Sequence, residues 1–366
     1  MIGQDRVSRR RWVRTSAGIV SVAAGFSFAH GVEDGAAAGC ITEVGGIRVG
    51  HFTDSRRPTG CTVVLFDNGA TAGVDVRGSA PGTRETDLLQ PVNTVERVNA
   101  IVLSGGSAFG LDTATGVMRY LEENGKGYHV GPIVVPIVPA AILFDLNIGD
   151  SKIRPDASAG YAACQAASAS RVPEGNVGAG AGATVGKFFG MRSAMKGGLG
   201  TASMRVGDTG IVVGAIVAVN AIGDVFDSRS GRILAGALTS DGRAFRDSVA
   251  QIAGGALLDG NGSKAGANST IGIVAINAAL SKTQMAKIAQ MAHDGFARSI
   301  NPVHTAADGD TIFAASTGTV SARADVTTIG VVAAEAMARA VHRAVLTATS
   351  IPGYLAHRDL PASFRV

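Results

Sequence analysis

The chain has 366 residues, 46% of them hydrophobic and 17% charged, with a formal net charge of +4. That composition supports a sizeable buried core and excludes a wholly disordered chain, and the length suits two domains or one large α/β unit. The charge is local: Arg6, Arg9, Arg10, Arg11 and Arg14, offset by Asp5, account for all of it, so the remainder is near neutral and offers no basic face for nucleic acid.

The first residues read as an export signal. The basic run Ser8-Arg9-Arg10-Arg11-Trp12-Val13 precedes an uncharged stretch from Thr15 to Ala29. This is a charged n-region followed by an apolar h-region too short to span a bilayer comfortably. An arginine pair before an apolar residue resembles the twin-arginine signal, and Ala36-Ala37-Ala38 supplies small residues for cleavage. The expectation is a periplasmic or secreted protein; if the segment stays attached, the protein is cytoplasmic. No other stretch is long and apolar enough for stable membrane insertion.

From Cys40 onward strands come first: Ile47 to Val49, Cys61 to Phe66 after the Pro58-Thr59-Gly60 turn, then Thr71 to Val76, then Ala100 to Leu103. Leu111, Ala114, Met118 and Leu121 share one face of a helix that Asn124-Gly125 stops. Pro136 and Pro139 break Ile133 to Leu146 into extended pieces. Ala157 to Ser170 is helical in pattern, and Ile211 to Val219 is an apolar strand ending at Asn220. Gly254 to Asn268 reads as a long loop. A strand follows over Ile271 to Ile276. Ser281 and Gln284 form a capping box for a helix that buries Met285, Ile288, Ala292 and Phe296. Ile312 to Ala315 is a strand, and Asp325 caps a last helix ending near Leu346. Cys40, Cys61 and Cys164 are too widely spaced for a zinc site or a disulfide framework and read as buried thiols.

Several familiar motifs fail on inspection. The run from Gly178 to Lys187 looks like a phosphate loop, but Ala181 and Phe188 stand where glycine and a hydroxyl residue are needed. Ser193-Ala-Met-Lys196 matches a serine–lysine pattern without its companion elements. Gly106-Ser107 lacks the second glycine of a nucleophile elbow, although a spatial triad using Ser107 stays open. Asp308-Gly-Asp310 does not continue as a calcium loop and taken alone suits a solvated turn. No cofactor or metal is implied.

One arrangement carries chemistry. Ser269 stands between a glycine-rich loop and a buried-looking strand. A hydroxyl there can attack the carbonyl of Asn268, and hydrolysis of the resulting ester frees an α-amine. That amine has an ordinary pKa of about 7.7–8.0 and can serve as general base for its own hydroxyl. The ordinary alternative is a Ser-Thr pair that simply opens a strand.

The wider sequence resembles the L-aminopeptidase/D-esterase family, which also holds β-peptidyl aminopeptidases and aminohexanoate-oligomer (nylon) hydrolases. The resemblance rests on the stretch Ile41 to His51, on Gly105-Gly106-Ser107-Ala108-Phe109-Gly110-Leu111, on the glycine-rich run to Lys187, and on Gly266-Ala267-Asn268-Ser269-Thr270-Ile271 with Asn277-Ala278. Pro302-Val-His304-Thr305 and Asp308-Gly-Asp310-Thr311 complete it. It implies a four-layer α/β/β/α sandwich of the N-terminal-nucleophile type. Residues 1–39 would be export signal and linker; cleavage at Asn268–Ser269 would divide a single catalytic domain into 40–268 and 269–366, and the cleaved pairs would form homo-oligomers. It implies Ser269 as nucleophile, Asn220 in the oxyanion hole, Lys187 near the nucleophile, and Asp308 and Asp310 as orienting acids. Phe144 stands where some members carry Tyr, and is a substrate-pocket candidate. The implied substrates are small peptides, amides or esters with a free amino end. An acyltransferase of the ornithine-acetyltransferase type and a conventional serine hydrolase remain the alternatives.

Overall fold

The computed structural model describes residues 39–257, 266–323, 325–361 and 364. The proposed signal and most of the loop before Asn268 lie outside them.

Eight strands and four helices position the site: β1 (Ile47–Thr53), β2 (Gly60–Val76), β3 (Arg97–Ser104), α1 (Thr113–Glu123), β4 (Ala140–Ile142), α2 (Ala157–Gln165), β5 (Gly198–Arg205), β6 (Val212–Asn220), β7 (Ser269–Ala278), α3 (Lys282–Ser299), β8 (Thr311–Val320) and α4 (Val326–Thr347). Four layers result. One sheet layer runs β5-β6-β7-β8 and then the second half of β2. The other holds the first half of β2 between β1 and β3, with β4 beyond β3. The sequence reading of two strands over Cys61–Phe66 and Thr71–Val76 is corrected here. They are one 17-residue strand whose register with β3 shifts between Leu65 and Ala70. An extra residue or more in one strand bends it and increases its twist, which lets β2 serve both layers.

Side-chain alternation builds three cores from these layers. On β7, Ile271, Ile273 and Ala275 face the other sheet layer, together with Phe66, Ile101 and Phe313. Val274, Ile276 and Ala278 on the same strand face α3 and α4, meeting Met285, Ile288, Phe296, Met337 and Val341. Cys61, Val63 and Leu65 of β2 face α1 and α2. A strand covered on both faces reads as a continuous apolar run, as β6 and β7 do. The helix ends follow their caps. Ser281 and Gln284 form the reciprocal box at the start of α3, and Asp325 accepts from Thr328 N–H at the start of α4. All three cysteines are free and buried.

One buried ion pair ties a loop to this frame. Arg57 and Asp145 meet at 2.7 Å with both side chains sealed from solvent. Asp145 also accepts from the Thr59 hydroxyl at 2.6 Å and Gly106 N–H at 2.9 Å, while Arg57 donates to the carbonyls of Asp145, Ile148 and Ile153. Removing one partner of such a pair strands the other charge. Asp145→Ala is therefore expected to lower stability by about 3–5 kcal/mol, read as a shift of the urea midpoint; a loss below about 1 kcal/mol would show that the pair is dispensable.

Candidate active site

Ser269 opens β7 and Asn220 closes β6, and the two are register partners across the antiparallel pair. On the other side, β7 pairs in parallel with β8 only from Ile271 opposite Thr311 onward. The two residues before Ile271 extend beyond that ladder, and the Asp308-Gly309-Asp310 segment takes the place of the missing strand. Asn268 bridges to Asp308, Gly309 N–H donates to the Asn268 carbonyl at 2.9 Å, and Thr270 N–H donates to Asp310 Oδ1 at 2.7 Å. The Ser269 hydroxyl donates to the Asn268 carbonyl oxygen at 2.5 Å. That oxygen thus accepts from Gly309 N–H and Ser269 Oγ–H together.

Gly309 is dictated by crowding. A Cβ there would lie 2.6 Å from Ser269 Oγ and 2.5 Å from the Ala80 carbonyl oxygen, closer than real Cβ atoms come. The acidic pair is spaced by the one residue that can lie against the Ser269 hydroxyl. Asp308 and Asp310 are both 1% exposed, so the solvated-turn reading of this motif is overturned by burial.

The two acids do different work. Asp310 reaches the strand directly, and its second oxygen accepts from His304 Nδ1 at 2.9 Å and His304 N–H at 3.0 Å. The Asp308 carboxylate turns away. It accepts from the Thr305 hydroxyl at 2.5 Å and from the backbone N–H groups of Thr305 and Ile222. Asp308 meets Asn268 through its main chain. Burial, reinforced by the neighbouring Asp310 charge, pushes the Asp308 carboxyl up to about 6.

Lys187 is buried beside this ladder. Its ammonium donates to the Asn220 carbonyl at 3.0 Å, Asn220 Oδ1 at 2.9 Å and the Ala267 carbonyl at 3.3 Å. Desolvation lowers its pKa to about 7 despite the opposing charges of Asp308, Asp310 and Asp145. The Asn220 amide is fixed at both ends: Oδ1 accepts from Thr184 N–H and Lys187, and Nδ2 donates to the Phe144 carbonyl at 3.1 Å. A primary amide has two N–H donors, so one hydrogen of Asn220 remains without a partner among the described residues. Phe144 reaches this group through its backbone oxygen, and its ring is half-buried. The Arg57–Asp145 pair anchors the residue next to it.

The structure therefore gathers Ser269, Asn268, Asn220, Lys187 and Asp310 into one hydrogen-bonded group, with Asp308 attached through its backbone. It separates the other motifs. Ser107 has φ +56°, and among the described residues no hydrogen bond reaches its hydroxyl, so no triad forms there. Lys196 donates to the carbonyls of Gly180, Ala183 and Gly197. The glycine-rich run turns carbonyls toward a cation, the opposite of a phosphate loop. No group of three or more His, Cys, Asp or Glu among the described residues is arranged to hold a metal ion. Sequence reasoning missed the His304 contact with Asp310, which depends on the conformation of a single loop, and the Arg57–Asp145 pair, which joins two loops distant in sequence.

The sequence profile of peptidase family S58 matches residues 39–358. The chain belongs to peptidase family S58. An uncharacterized aminopeptidase of Mycobacterium leprae (strain TN) is 44% identical over 341 residues, covering 86% of this chain and 91% of that protein. A 6-aminohexanoate-oligomer endohydrolase of Agromyces sp. (strain KY5R) is 31% identical over 283 residues, covering 74% and 73%. Among solved structures, the L-aminopeptidase D-Ala-esterase/amidase of Ochrobactrum anthropi, described as a variant of the Ntn hydrolase fold, superposes with a TM-score of 0.66 at 20% identity, covering 90% of this chain and 95% of that one. A Burkholderia sp. beta-aminopeptidase gives 0.64 at 21%, with the same coverage. These two establish the fold alone. As an S58 member the chain is a peptide hydrolase of the aminopeptidase type.

Two buried lysines give this S58 peptidase a pH signature. Burial lowers Lys196, like Lys187, to about 7. Between about pH 7 and the ordinary lysine value the unfolded chain binds protons that the native chain does not, so native stability rises with pH across that window. Below about pH 7 both states are protonated and the cost is constant. Lys196→Met removes one of the two contributions. Calorimetry at pH 7 and pH 9.5 should show a smaller gain in Tm for Lys196→Met than for the wild type; an equal gain would contradict a depressed Lys196.

Proposed function

We propose that this protein is a self-processing N-terminal-nucleophile amide hydrolase that cuts its own Asn268–Ser269 bond and then uses Ser269 as catalytic nucleophile. The observation that carries the reading is the position of the Ser269 hydroxyl, 2.5 Å from the Asn268 carbonyl oxygen, while Gly309 N–H holds that same oxygen at 2.9 Å. Attack of Oγ on the Asn268 carbonyl carbon places negative charge on an oxygen that already has a fixed donor, the arrangement that stabilises tetrahedral intermediates. The C–N bond then breaks, the amide nitrogen leaves as the Ser269 amine after taking up a proton, and water hydrolyses the ester.

Two further features support cleavage at this bond. Both amide atoms of the buried Asn268 side chain lack a hydrogen-bond partner among the described residues, and a buried polar group left unpaired costs on the order of 1–3 kcal/mol. Lys187, brought to about 7 by burial and held against the Ala267 carbonyl, is partly neutral at physiological pH and suits proton transfer before any α-amine exists. Once the amine is free it becomes the base, and Asn220 keeps one amide hydrogen for the substrate oxyanion. The names of the relatives favour short peptides and amides with a free amino end as substrates, and the cleaved pair would function within a homo-oligomer.

The test is fragment analysis with turnover. Wild-type protein should yield a fragment of residues 269–366, 98 in all, beginning with Ser269. Ser269→Ala should stay uncut and inactive. Ser269→Thr and Ser269→Cys should still cut, because each keeps a nucleophilic atom. Asn220→Ala should lower turnover by roughly 10²–10³-fold, the loss typical of one oxyanion donor. Cleavage after residue 268 in Ser269→Ala would refute the reading. Export belongs to the same proposal: mature protein from its native host should lack residues 1 to about 30–38, and a cytoplasmic chain starting at Met1 would remove that part alone.

A further inference from the structure

We infer that His304 is a positioning residue for the Ser269 nucleophile, acting through Asp310; this rests on the reading of Ser269 given above. The Ser269–Thr270 peptide is the one covalent hold on residue 269 once the bond before it is cut. Its N–H, on Thr270, lies beyond the first rung that β7 shares with β8, where a strand would leave it unpaired. Asp310 Oδ1 supplies the missing acceptor at 2.7 Å. A carboxylate buried this deeply can pivot about its side-chain torsions unless its second oxygen is also fixed. His304 fixes it twice, with Nδ1 at 2.9 Å and its backbone N–H at 3.0 Å.

The local fold is arranged for this contact. His304 adopts φ +54°, a left-handed conformation that a bulky residue visits at a cost. That turn aims both the backbone N–H and the ring nitrogen of one residue at one oxygen. The ring is braced edge-on by His293, centroid to centroid 4.7 Å, and lies beside Phe296. His293 is itself sealed in the protein and hydrogen-bonded through Nε2 to the Asp75 carbonyl, and burial lowers its pKa to about 4, so it is an uncharged wall. A hydrogen bond from Nδ1 to a carboxylate places the proton on Nδ1. The chain His304–Asp310–Thr270 N–H then sets the plane of the Ser269–Thr270 peptide and with it the direction of Oγ. A nucleophile misplaced by a fraction of an ångström loses rate while the substrate still binds.

The backbone conformation selects the test. Glycine and asparagine both tolerate φ near +54°, but only asparagine carries a side-chain N–H near the place of Nδ1. His304→Gly should lower kcat by about 10–100-fold with KM changed less than about threefold, and should slow self-cleavage. His304→Asn should recover most of both. Alanine also lacks a side-chain donor and adds no charge beside Asp310, so His304→Ala provides the same comparison should His304→Gly fail to fold. Circular dichroism confirms folding of each variant, and Ser269→Ala is run beside them. Wild-type kcat in His304→Gly, or equal impairment of His304→Asn and the donor-less variants, overturns the inference. An active or cleaved Ser269→Ala overturns the nucleophile reading instead, so the two failures are distinguishable.

Discussion

The pairing of β7 on both of its edges is the constraint on which the rest of the site depends. Asn220 lies opposite Ser269 on one edge, and Asp310 grips Thr270 on the other, one residue before β8 begins. A backbone gripped on both sides has almost no freedom at the residue where strand meets loop. The polar groups that hold it must then be buried, because the strand is buried. Ser269 is only 2% exposed and Asn220 wholly enclosed. The perturbed lysine and aspartate are consequences of that burial. Desolvation is the largest influence on both Lys187 and Asp308, and it moves the amine down and the acid up, each toward its uncharged form.

The elements with a strong period were legible in the sequence. The capping box at Ser281, the buried face of α3 and the apolar strands ending at Asn220 and beginning near Ser269 all stand where their patterns placed them, since local periodicity and local capping decide them. The join within β2 was not legible. The stretch between Phe66 and Thr71 contains Asn68 and Gly69 and reads as a break, yet the strand continues through it, with Gly69 at φ +71°, because partners on both layers hold its two halves. The same limit applies to the site. Ser269 stands out by its place after a glycine-rich loop, and family resemblance supplies Asn220 and Lys187. The difference between Asp308 and Asp310 is invisible in a symmetric Asp-Gly-Asp motif. It arises from what each side chain reaches in the folded loop: Asp310 accepts from Thr270 N–H and His304, and Asp308 from Thr305 and Ile222 N–H.

Lysines show how context separates identical residues. Lys187 and Lys196 are both buried and both lowered to about 7, and each is held by three acceptor oxygens. Lys196 binds three backbone carbonyls and closes the glycine-rich segment on itself. Lys187 binds the backbone and side chain of Asn220 and the carbonyl two residues before Ser269. A perturbed pKa therefore does not identify a functional lysine here; what a lysine is bonded to does.

The same hydrogen bonds bear on how one site could perform two reactions. In the proposed self-cleavage, the acyl carbon is that of Asn268, its oxygen is held by Gly309 N–H, and Ser269 has no free amine. In the proposed hydrolysis of substrate, the acyl carbon comes from outside, the base is the new amine, and Asn220 offers the hydrogen that Phe144 does not use. The nucleophile is common to both reactions, whereas the donors and the base differ. Positioning of the strand must survive the cut for the second reaction to follow the first. The bond from Thr270 N–H to Asp310 and the side-chain bonds that fix Asn220 lie outside the Asn268–Ser269 peptide, whereas the ladder between Ser269 and Asn220 borders on it. The hold that Asp310 has on Thr270 is thus the part of the anchorage that is independent of the bond Ser269 would break.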